Sequence, residues 1–147
     1  MKWVATLLLL LPTFAFADNV AFCGGTSIRH GEAPVFEAIY QHPIKLIGGS
    51  TFEGALTYIG ASEFRGRQPE KLAVASRLVK HFGRAYLGLG IVYSEVDSYN
   101  GSRFNFSDVI GMDVTDHVSL RYSHYSNAGL FSGTNVGRDM ILLNYRF

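Results

Sequence analysis

The chain is short of the residues that staple or punctuate small proteins, with one cysteine, four prolines and one tryptophan in 147 residues. A single thiol excludes an internal disulfide framework. Cys23 reads instead as a small, half-buried core residue, and the bulky Phe22 before it is wrong for a lipid-attachment box. Charge of one sign is missing too. Thirteen Lys and Arg stand against twelve Asp and Glu, a formal net charge of +1. No Lys/Arg cluster is dense, so a dedicated nucleic-acid binder is excluded. His30, His42, His81 and His117 look like turn or rim residues without metal-ligand spacing. Gly88-x-Gly90 lacks a third glycine, position 93 being Tyr93, so there is no dinucleotide loop. Neither a metal nor another cofactor is expected.

Long apolar runs are confined to the start of the chain. Met1-Lys2-Trp3, the apolar stretch Val4 to Leu11, and Ala15-Phe16-Ala17 before Asp18 follow the plan of a secretory signal peptide, predicted to span 1–17. Residues 18–147 hold no uninterrupted apolar run of about 18 residues, so no transmembrane helix is expected there. They are predicted to form one domain.

What the chain does have is alternation. Breaker residues divide it into eight segments of strand length: Asn19–Arg29, Ala33–Gln41, Ser50–Ala61, Glu70–Phe82, Ala85–Val96, Arg103–Thr115, His117–Ser126 and Arg138–Phe147. His42-Pro43 is read as a turn. Within the segments large apolar residues alternate with mostly small or polar ones, as in Leu87, Leu89, Ile91 and Tyr93 against Tyr86, Gly88, Gly90, Val92 and Ser94. Asp108 breaks the pattern among Phe104, Phe106, Ile110 and Met112, which suggests a bulge or a rim position. The opposite faces carry Arg77, Asn105, Arg121, Asn144 and Arg146 among glycine, alanine and serine, a filling suited to a narrow polar lumen. Aromatics are plentiful, at 11 Phe and 8 Tyr, as interfacial girdles require. Such a pattern predicts an all-β fold, an eight-stranded antiparallel outer-membrane β-barrel, over a soluble barrel with its apolar residues inside.

The clue to function lies near the end of the chain. Val118, Leu120 and Tyr122 share one face of a strand, and His124 and Ser126 continue that face. Asp139 shares parity with Ile141, Leu143, Tyr145 and Phe147, so it too faces outward, while Arg138 and Met140 point to the lumen. With both termini periplasmic, Ser126 and Asp139 fall at the outer rim of neighbouring strands. The pattern is that of a nucleophile, a general base and an orienting acid. The Asn127 side-chain amide and the Gly129 backbone N–H are nearby donors for the oxyanion. A charged group on the lipid face costs roughly 2–4 kcal/mol at the midplane and about 0–1 kcal/mol near the interface, which favours the rim.

His124-Tyr125-Ser126-Asn127-Ala128-Gly129, then Asn135-x-Gly137-x-Asp139 and a closing strand ending in Phe147, resembles the PagL-type lipid A 3-O-deacylase family. The specific motifs cover the last quarter of the chain; upstream the likeness is one of strand count and texture. The resemblance implies a lipid-facing Ser–His–acid triad of Ser126, His124 and Asp139 with oxyanion donors Asn127 and Gly129. It also implies a serine esterase that removes the acyl chain at position 3 of lipid A. A member of that family has glutamate as its acid, longer than Asp139 by one methylene. Phe104 and Phe106 are lipid-facing anchors with a possible share in gripping the acyl chain. Expected partners are lipopolysaccharide as substrate and outer-membrane lipids, with no nucleic acid and with a homodimer left open. The site is expected in the bacterial outer membrane, facing the outer leaflet. The competing reading is a non-catalytic small barrel for adhesion or envelope integrity.

Overall fold

The structure, a computed structural model, describes residues 19–147 except 30, 45–47, 64, 97–98, 100 and 130–134. The predicted signal peptide lies outside the described residues. Eight strands form: β1 (Val20–Ser27), β2 (Ala33–Ile44), β3 (Ser50–Ile59), β4 (Lys71–Phe82), β5 (Ala85–Ser94), β6 (Phe104–Asp113), β7 (Val118–Ser126) and β8 (Arg138–Arg146). Each pairs antiparallel with its sequence neighbours, and β8 closes on β1. Closure leaves no unpaired sheet edge, the condition for a sheet to sit in an apolar medium. A two-residue hairpin, Ser62–Glu63 with Arg67–Gln68, decorates the connection from β3 to β4.

The alternation read from the sequence becomes the two sides of the wall. Outside stand Phe36, Leu56, Leu72, Leu89, Ile91, Ile110, Leu120 and Leu143, all exposed. Inside, Arg77, Arg121, Asn105 and Asn144 are buried, as expected, and so are Glu37 and Glu53. Arg77 Nη2 lies 2.7 Å from Glu37 Oε1, and Arg121 Nη2 lies 2.7 Å from Glu53 Oε2. Thr57 and Tyr125 join this network through hydroxyl hydrogen bonds. Each of these four buried charges thus has an opposite partner, without which its burial costs several kcal/mol. An apolar exterior around a paired polar interior is the polarity of a barrel whose outer wall meets lipid.

Three expectations shift. Pro43 is not in a turn but within β2, opposite Thr51. Gln41 N donates to Asn19 O, so the missing N–H of Pro43 falls on the same side, beyond the last described residue of β1. A proline is tolerated where no ladder bond is lost. Asp108 sits at no bulge; its register with Leu89 and His124 is regular. Cys23 is buried rather than half-buried, and its Sγ donates to Asn144 Oδ1 at 3.3 Å.

Candidate active site

The two ends of the barrel differ. At one end lie the connections after β2, β4 and β6; at the other lie 28–32 and the three longer segments 60–70, 95–103 and 127–137. Ser126 ends β7 and Asp139 is the second residue of β8, both at the long-loop end. Parity puts both on the outer wall with His124, in line with the sequence reading.

Register then brings acid and base together. Asp139 is the direct cross-strand partner of His124, and His124 Nδ1 lies 2.7 Å from Asp139 Oδ1. That bond holds one ring nitrogen and leaves Nε2 as the nitrogen able to take a proton. Tyr122, on the same outer face, donates its hydroxyl to the same Oδ1. Arg29 approaches the other carboxylate oxygen, Nη1 to Oδ2, at 3.6 Å. It is brought there by the barrel's closure, where Ile28 N donates to Asp139 O at 3.0 Å. With these neighbours around it the Asp139 side chain is only 8% exposed, although it belongs to the outer face. Asp108 stands opposite His124 on the other side, from β6. His124 therefore sits between two outward carboxylates in one register row.

The ring of His124 rests against backbone. A Cβ at Gly137 would stand 2.6 Å from His124 Cε1 and 3.2 Å from Nε2, so only glycine leaves room for the imidazole. Gly137 also has a φ of +75°, which an L side chain rarely adopts. Gly137 N and Val136 N both donate to Tyr99 O, at 3.2 and 3.0 Å. Tyr99 is fully buried, its hydroxyl 3.2 Å from Ser62 Oγ and its ring 3.8 Å from the Arg138 guanidinium carbon. Three of the long connections are pinned together through this tyrosine, immediately behind the base.

Ser126 is half-buried and pairs with Phe106. It follows His124 by two positions, about 6.8 Å along the backbone, and its hydroxyl makes no hydrogen bond with another described residue. A rotation of ring or hydroxyl is what closes such a gap when substrate binds. Phe104 and Phe106 are exposed on the outer wall, Phe106 beside Ser126 and Phe104 one step nearer the rim, against Tyr93 at 5.1 Å between ring centroids. The expected oxyanion donors are arranged differently from the sequence reading. Asn127 is fully buried, and its Oδ1 accepts the Gly129 N–H at 2.9 Å. Its own N–H goes to Asn135 Oδ1 at 3.0 Å. The Gly129 N–H is thus held inside the turn, whereas the Asn127 side-chain amide, Nδ2, is buried with no hydrogen-bond partner among the described residues. An apolar depression of about 420 Å³ over Phe22, Ala38, Gly54 and Leu56 includes none of these residues and lies on another part of the wall.

The family described as "Lipid A 3-O-deacylase (PagL)" matches residues 59–147, well over half of the sequence and all of β4 to β8. The chain belongs to the PagL family. A curated relative, "Lipid A deacylase PagL" of Bordetella bronchiseptica, is 38% identical over 74 residues, covering 44% of this chain and 41% of that protein. The match thus spans about two fifths of the relative's length. A solved structure titled "Crystal structure of the outer membrane enzyme PagL" superposes with a TM-score of 0.59 at 19% identity, over 87% of this chain and 97% of that one. At that identity the likeness speaks for the fold, and the fold is the same closed barrel.

Tyr122, Arg29, Gly137 and Asp108 are the site neighbours that residue typing does not single out. Asp108 had a signal, its break in the alternation. Tyr122 had none, because a tyrosine on an outer face reads as a girdle residue.

Proposed function

We propose that this PagL family member is a serine ester hydrolase of the bacterial outer membrane. It works from the outer leaflet and releases the acyl chain esterified at position 3 of lipid A. The observation that carries the reading is the hydrogen-bonded His124–Asp139 pair on the outward face at the long-loop end, with Ser126 two residues further along that face. A lipid-facing rim is where a buried ester of an outer-leaflet lipid comes within reach.

His124 Nε2 takes the Ser126 hydroxyl proton as Oγ attacks the ester carbonyl, and Asp139 stabilises the resulting imidazolium and holds its tautomer. Collapse of the tetrahedral intermediate breaks the bond to the sugar oxygen, which receives that proton from His124. Water, deprotonated by the same imidazole, then cleaves the acyl-enzyme to free the fatty acid. Asn127 and Gly129 are the proposed oxyanion donors, and for Gly129 to serve, its N–H must leave Asn127 Oδ1. Phe104 and Phe106 form the proposed contact for the acyl chain. No step draws on a metal or cofactor.

Purified protein in detergent is expected to release one hydroxy fatty acid per lipid A, and His124→Ala to stop the release while the barrel still folds. Lipid A left intact by the wild type would contradict the reading. It would favour a non-catalytic envelope barrel.

A further inference from the structure

His124 has two carboxylates in its register row, Asp108 from β6 and Asp139 from β8, and hydrogen-bonds only the second among the described residues. Parity cannot explain the choice, because both acids face outward. What distinguishes Asp139 is a second donor on the same oxygen. Tyr122 lies two residues before His124 on one face of β7 and pairs with Ile141, so Asp139 is its diagonal neighbour. Diagonal neighbours are about 7–8 Å apart, a span that an aromatic side chain bridges. The Tyr122 hydroxyl crosses it and donates to Asp139 Oδ1, the oxygen that faces His124 Nδ1. The third contact, Arg29, is 60% exposed and stands at 3.6 Å on Oδ2, too loose to set the rotamer.

We propose that Tyr122 is a positioning residue. Its hydroxyl anchors the short Asp139 side chain so that Oδ1 stays on His124, and through that acid it keeps Nε2 aimed at Ser126. The inference rests on the serine-hydrolase reading above. Away from bulk water few competing donors would replace the lost bond. A tyrosine that merely anchors the wall at the interface would occupy the same place, so the test must separate the two roles.

The full-length protein in detergent provides two readouts: the rate at which a fluorophosphonate probe labels Ser126, and kcat and KM for lipid A. Four proteins are compared: wild type, Tyr122→Phe, Asp139→Asn and the double variant, each checked for the heat-dependent gel shift of a folded barrel. Tyr122→Phe is expected to lower the labelling rate and kcat about tenfold with KM within about twofold, a fraction of the roughly 10²–10⁴ supplied by a positioned general base. In the Asp139→Asn background the same substitution should add less than about twofold, since residues acting through one contact are not additive. An equal loss in both backgrounds, or no loss in either, overturns the proposal while leaving the hydrolase intact. A wild type whose Ser126 takes no probe and whose lipid A stays whole would instead remove the hydrolase reading, and the role of Tyr122 with it.

Discussion

A general base, the role proposed for His124, has to be held by one nitrogen with the other left available, and small details of the site serve both conditions. Asp139 and Tyr122 fix the Nδ1 side, while Gly137 makes the space for Cε1 and Nε2. Gly137→Ala is therefore expected to lower kcat about 10²-fold, the effect of displacing a reacting group by roughly 1 Å. Forcing an L side chain to a φ of +75° adds about 1–2 kcal/mol of destabilisation; steady-state kinetics and a urea midpoint measure the two effects separately. Phe106 faces Ser126 across the strand pair. Phe106→Ala should raise KM for lipid A several-fold while the rate of Ser126 labelling stays unchanged; an altered labelling rate would place Phe106 in the chemistry rather than in acyl-chain contact. The outward placement of Ser126, His124 and Asp139 on neighbouring strands was legible from residue type and parity. Tyr122 and Arg29 were not, because a diagonal contact and a contact across the closing seam depend on register, which alternation leaves undetermined.

Strand period decides the polarity of each element, and it was readable along most of the chain. One face of β7 carries Leu120, Tyr122, His124 and Ser126 outward, and the other carries Ser119, Arg121, Ser123 and Tyr125 inward. The hidden part is pairing inside the lumen. Arg121 and Arg77 were recognisable as interior residues, but their partners Glu37 and Glu53 come from strands distant in sequence. Arg121→Met should destabilise the barrel by about 3–5 kcal/mol, because it leaves Glu53 without its closest cation in a buried setting. A urea midpoint unchanged from wild type would mean that water enters the lumen and solvates the acid. Pro43 was misjudged for a related reason. A proline reads as a breaker from sequence, whereas here Pro43 lies within β2 opposite Thr51.

Closure of the whole barrel places Arg29 beside Asp139 and sets Tyr99 behind Gly137, so the site draws on all four connections at one end of the molecule. A count of eight strands and a leader-like start predicted the class of fold. Which loops meet over the rim follows from three-dimensional closure and lay beyond pattern. The apolar outer wall and the neutralised lumen suit residence in a bilayer. The central claim is that Ser126, His124 and Asp139 cleave such an ester on the lipid-facing wall. Mass spectrometry of lipid A from bacteria expressing the protein tests it most directly. Cells with the wild type should show lipid A lighter by one hydroxy-acyl chain, and cells with Ser126→Ala should show the full mass at equal barrel content. The same lightened lipid A in both, or in neither, would contradict the account.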